Sequence, residues 1–177
     1  YIEGDYRFIP GHVAEALQKA RTMLARTANP QFADFEVDKI YFEELMELAE
    51  SSGNDFIKGY VRILADSANL RTVVRTVRMG KDRDFLMNAL CPGGSVYPER
   101  LCDAAFSGTD ALAGIFTASP LHEAAVLGGE AICGSSMTAF ELACDNAVSA
   151  YVSQAKTKPF GVEAVVEYIS LSKSEMY

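Results

Sequence analysis

The stretch from Asp38 to Gly80 constrains the chain more than any other. It reads as two amphipathic helices joined by a tight Ser52-Gly53-Asn54-Asp55 corner. In the first, Tyr41, Leu45, Leu48 and Ala49 share one helical stripe, and Glu43, Glu44, Glu47 and Glu50 lie off it. Gly53 can adopt the left-handed conformation that stops a helix, and Asn54 or Asp55 can cap the next one. In the second, Phe56, Tyr60, Leu64, Leu70, Val74 and Val77 repeat at helical spacing, widened by Ile57, Val61, Ile63 and Val73. That helix ends in Arg75 and Arg78, cations suited to a helix C-terminus, followed by Gly80. Its length from Asp55 to Met79 comes to about 37 Å at about 1.5 Å per residue. A hairpin this long forms the spine of whatever fold it belongs to.

The rest of the chain has the same periodicity. A helix is expected from His12 to about Thr27, with Val13, Leu17, Ala20, Met23 and Leu24 on one side, until Asn29-Pro30 breaks it. Residues Gln31 to Val37 read either as a short turn of helix or as the lead-in to the hairpin, and Asp38 is a candidate cap. After Gly80, Asp82 or Asp84 can cap a short helix through Leu90, which Pro92-Gly93-Gly94 ends. Pro98 suits a helix's first turn, with Leu101, Cys102, Ala105 and Phe106 inward. Short helices are expected over Ala111–Phe116 and Leu121–Ile132. Thr138 and Glu141 have capping-box spacing; the helix they would open turns Phe140, Cys144, Ala147, Val148, Tyr151 and Ala155 inward. Lys156 to Pro159 reads as a turn, and a last helix starts near Val162. Strict alternation is absent and the β-branched residues sit at helical spacings. The expected class is therefore all-α, multi-helical, with helix hairpins recurring as similar modules. The punctuation at Pro92-Gly93-Gly94 divides it into expected lobes over 1–93 and 94–177.

The wording of the hairpin is also that of a family. Tyr41-Phe42-Glu43-Glu44-Leu45, Ser52-Gly53-Asn54, Ala68-Asn69-Leu70-Arg71-Thr72, Arg78-Met79-Gly80, Pro92-Gly93-Gly94-Ser95 and Pro159-Phe160-Gly161 occur in one order along the chain. The set resembles the C subunits of bacterial and archaeal V/A-type ATP synthases, the counterparts of the d subunits in the eukaryotic vacuolar proton pump. It runs from about Asn29 to the end of the chain; Ser107 to Met137 add only helical character. The resemblance implies three similar helical domains in a longer protein. It also implies a funnel-shaped, non-catalytic part of the central stalk, seated on the cytoplasmic end of the membrane rotor ring. The funnel's cavity receives the central shaft, made of the D and F subunits, and transmits torque between ATP chemistry and ion translocation. The opening Tyr1-Ile2-Glu3 and the closing Ser174-Glu175-Met176-Tyr177 fit a piece of such a chain. The rival reading is a helical-repeat adaptor or scaffold unrelated to rotary ATPases.

Composition bounds the chemistry. A net charge of −8 argues against general nucleic-acid binding, which needs many cations facing phosphates. No apolar run approaches the roughly 20 residues of a membrane-spanning helix, and no basic amphipathic helix points to direct membrane insertion. Cys91, Cys102, Cys133 and Cys144 lack the close spacing of a zinc or redox motif and read as buried free thiols in a reducing, cytoplasmic setting. His12 and His122 stand alone, without a paired-ligand motif. Gly80-Lys81 lacks the first glycine of a phosphate loop, since Arg75 occupies that position. No catalytic, cofactor-binding or metal residues are assigned, and no cofactor is expected. The acidic group Glu43, Glu44, Glu47 and Glu50 reads as a solvated helix face. Arg71, Arg75 and Arg78 form one stripe at i, i+4 and i+7, for which two readings are open. One is pairing within the chain, with Glu36 or Asp38 near Arg71. The other is a docking stripe for an acidic partner protein.

Overall fold

The computed structural model describes residues 11–157 and 164–169, with the side chains of His12, Lys156 and Thr157 left aside. Among the described residues every regular element is helical. Eight α-helices follow in order: α1 (Gly11–Thr27), α2 (Pro30–Ser51), α3 (Asp55–Arg78), α4 (Arg83–Ala89), α5 (Pro98–Ser107), α6 (Thr109–Ile115), α7 (His122–Ile132) and α8 (Met137–Ser153). A short 3-10 turn (Gln154–Thr157) ends the run. Residues 164–169 are helical as well. The turn at Pro159-Phe160-Gly161 and the start of a last helix at Val162 lie outside the described residues.

The hairpin forms, but its first helix starts eight residues earlier than Asp38. Ala28 takes the left-handed φ of 51° and closes α1. Asn29, extended, then accepts the Gln31 amide on Oδ1 at 3.0 Å, with Pro30 at the first helical position. Gln31 to Val37 are thus helix, and Asp38 caps nothing. The early start gives Phe32 and Phe35 their purpose. Both pack edge-on against Phe85 of α4, at centroid distances of 5.9 and 5.4 Å. The expected stripe of α2 holds in part. Ala49 is buried and Leu45 half-buried as expected, but Phe42 is buried too, while Tyr41 and Leu48 are 52% and 59% exposed. The helix must face α1, α3 and α4 at once, so an average over its sequence blurs which side is inward.

At the corner, Gly53 has a φ of 64° and Asn54 Oδ1 accepts the Phe56 and Ile57 amides at 2.9 and 3.2 Å. From there α3 runs for 24 residues as the hub of the molecule, touching α2, α4, α5, α7 and α8. Val61, Ile63, Ala65, Leu70, Val73 and Val74 are all buried. The main apolar cluster gathers Leu70, Val73 and Val74 with Leu86, Leu101, Leu112, Phe116, Leu121, Phe140 and Cys144. A smaller cluster joins Phe42, Ala65 and Cys91, with Leu45 and Leu64 packed against it.

Three smaller expectations change. Ser136, not Thr138, caps α8: its Oγ accepts the Ala139 amide at 3.3 Å, and Glu141 is turned to another task. Phe106 lies 47% exposed and Ala104 takes the inward place on α5. Cys91, Cys102 and Cys144 are buried free thiols, whereas Cys133 is exposed.

Candidate functional surface

Four polar residues of α3 are buried, Asp66, Ser67, Asn69 and Thr76, and two of them, Asp66 at 3% and Asn69 at 1% exposure, reach across to the segment after α4. Burying either without partners is costly, so their partners define a site. Asn69 donates Nδ2–H to the Cys91 carbonyl and accepts the Cys91 amide on Oδ1, both at 2.8 Å, closing a two-bond ring with the segment after α4. Asp66 accepts the Ser95 amide on Oδ1 at 2.8 Å and the Ser95 hydroxyl on Oδ2 at 2.6 Å, with the Val96 amide farther off at 3.4 Å. Burial pushes the Asp66 carboxyl above the ordinary range, and the Ser95 and Val96 donors oppose that shift.

Together they latch the Pro92-Gly93-Gly94-Ser95 turn across α3. The glycines fit this contact and little else does. A Cβ at Gly94 would stand 2.3 Å from Asp66 Oδ1, and one at Gly93, whose φ is 99°, would stand 2.2 Å from Met46 Sδ. The sequence reading assigns no site role to Asp66 or Asn69. A signal is nevertheless present: two polar residues, three apart, inside an apolar stripe.

The arginine stripe lies on the same helix, facing α7 and α8. One Glu141 oxygen, Oε2, sits 2.7 Å from Arg71 Nε; the other, Oε1, accepts from Arg75 Nη2 and Nε at 2.7 and 3.1 Å. Arg71 Nη2 also reaches Asp145 and the Glu141 carbonyl. Arg78 Nη1 donates to the Ala131 and Ser135 carbonyls, both at 3.1 Å, where α7 ends. The three guanidiniums therefore clamp the α7–α8 corner onto α3. The partner acids are Glu141 and Asp145, not Glu36 or Asp38. Glu36 pairs instead with Lys39 at 3.6 Å. Sequence distance hides these partners, which stand 70 and 74 residues from Arg71.

The acidic group divides. Glu50 pairs with Lys58 across the corner at 2.8 Å, with Arg62 farther off at 3.9 Å. Glu43, Glu44 and Glu47 line an open groove with Glu15 and Lys19 of α1. Among the described residues no group of three or more His, Cys, Asp or Glu side chains could hold a metal ion. His122 places Nδ1 3.2 Å from the Ala113 carbonyl, across the α6–α7 turn. No described helix is long and apolar enough to cross a membrane.

A hub helix, polar latches that fix turns and clamped helix corners define a protein of packed helical surfaces. A family profile described as "ATP synthase (C/AC39) subunit" matches residues 7–176, nearly the whole chain. The chain belongs to that family. No curated protein and no solved structure matches it significantly.

Proposed function

We propose that the chain works as a non-catalytic coupling element of a rotary V/A-type ATPase or ATP synthase. It links the central shaft, built from the D and F subunits, to the membrane rotor ring on the cytoplasmic face, and so couples ATP hydrolysis or synthesis to ion transport. The family match over residues 7–176 carries the reading. The packing supports it in physical terms. A torque-bearing part must resist shear, and close-packed helices with internally satisfied polar groups do so better than loops. Here α3 holds the 91–96 segment through the Asp66 and Asn69 latches and the α7–α8 corner through the arginine clamp.

The docking role for Arg71, Arg75 and Arg78 is part of the proposal. It falls chiefly to Arg75, whose side chain stays 59% exposed while holding Glu141; that of Arg71 is 23% exposed. Reconstitution of the protein with the shaft and the ring tests the whole reading. Binding to both is expected, and failure to bind either sinks it. Substituting R75S in that assay should weaken association more at low salt than at high salt if Arg75 docks a partner, since exposed pairs are screened over about 8–10 Å near physiological ionic strength. Equal binding at both salts removes the stripe from the interface and leaves it an internal clamp.

A further inference from the structure

Arg62 and Arg100 differ from the other arginines placed above. Arg100, exposed on α5, has no hydrogen-bond or ion-pair partner among the described residues. Arg62 lies 3.9 Å from Glu50, which Lys58 already holds at 2.8 Å, and its side chain is 58% exposed. Both line one cleft of about 380 Å³ beside the Ser95–Val96 segment. A second cleft of about 550 Å³ adjoins it on the other side of the turn, sharing Arg62, Ser95 and Val96. Asp66 is the sole carboxylate among the lining residues of either cleft, and its oxygens are occupied by Ser95 and Val96. The walls add apolar surface from Val96, Ile115 and Pro120, and Tyr97 stands 74% exposed beside the turn.

We propose that this double cleft docks an acidic segment of a partner protein, whose carboxylates are taken by Arg62 and Arg100. Guanidinium forks match carboxylate and phosphate alike. The net charge of −8 separates the two at the scale of a surface. An anionic bilayer would meet the whole acidic chain, whereas a single acidic segment seated in the cleft meets chiefly the two arginines. The concave apolar walls also suit a peptide better than a planar headgroup layer. The proposal stands independently of membership in a rotary ATPase.

The test uses the whole chain and a capped, fluorescent hexaglutamate peptide, with hexalysine and phosphatidylserine vesicles as the other arms. Saturable hexaglutamate binding at low salt is expected, weakening as salt rises. R62A and R100A should each weaken it about 2- to 5-fold, as one exposed charge pair apiece implies, and R62K should retain most of it. Both side chains are exposed, so the thermal midpoint should not move and lost binding cannot be laid to unfolding. Three results overturn the proposal: no saturable hexaglutamate binding, equal binding by the double variant R62A/R100A, or arginine-dependent binding of vesicles without binding of the peptide.

Discussion

Asp66 makes the clearest single-residue test, because its pKa direction fixes the sign of a pH effect. Burial raises its folded pKa above the unfolded value, so between the two the folded state binds more protons. Its contribution to stability therefore falls as pH rises through that window, and is most favourable in acid. Comparing parent with D66N cancels the other carboxylates. The parent's denaturation midpoint should gain on that of D66N as pH drops from neutral towards 4, and a constant difference would refute the raised pKa. D66A should cost about 1–3 kcal/mol near neutral pH, because it leaves the Ser95 and Val96 amides without their acceptor, and its cost should grow through the same acid window. Among the thiols, Cys91 and Cys144 are pushed up to about 11 by burial, whereas Cys133 is exposed. A thiol reagent at neutral pH should label Cys133 first and reach Cys91, Cys102 and Cys144 only on unfolding.

At the scale of the helix, α3 decides most of the packing energy. Leu70 is fully buried, so L70A should cost about 2–5 kcal/mol. Leu64 is equivalent by its place on the stripe, yet it is only half-buried beside Phe42 and Cys91, and L64A should cost about 1–2 kcal/mol. Denaturant titration of both variants checks the order, and a larger loss at Leu64 would mean that the hub faces the other way. The contact between α3 and α8 depends on Gly59. Tyr151 stacks on Phe56 at 5.2 Å and donates its hydroxyl to the Phe56 carbonyl at 3.0 Å. A Cβ at Gly59 would stand 1.9 Å from that hydroxyl oxygen. G59A should therefore displace Tyr151 despite alanine's better helix propensity, and Y151F in the same background should recover part of the loss.

At the scale of the described fold, the main cluster draws its members from Ile63 on α3 to Ala147 on α8, with α1 and α2 outside it. The division into lobes over 1–93 and 94–177 is retained as a proposal about chain organisation. Because α3 and α4 share that cluster with α5 through α8, unfolding should be one cooperative transition, with fluorescence and circular dichroism giving coincident midpoints. Two separated transitions would show lobes that hold together independently. The arginine clamp contributes at this scale too. R75S/R78S should lower stability by about 1–2 kcal/mol, since it leaves Glu141 to Arg71 alone and strips the Ala131 and Ser135 carbonyls of their Arg78 donor.

The helical class and the existence of most helices were legible in the sequence, because helical periodicity, stops such as Gly53 and Gly80 and starts such as Pro98 act over a few residues. The Asn29-Pro30 signal is equally local; it breaks α1 and also starts α2. Faces were less legible. Tyr41 and Leu48 share a stripe with Ala49 yet are exposed, while Phe42 off that stripe is buried, and only the positions of α1, α3 and α4 decide between them. The partners of polar groups were legible least of all. Asp66 with Ser95, Asn69 with Cys91, and Arg71 with Glu141 are separated by 29, 22 and 70 residues, and no local rule carries across such distances. The chain's own pattern dictates where it coils. Which coil meets which, and therefore what each charge finds opposite it, is decided only when burial brings distant segments together.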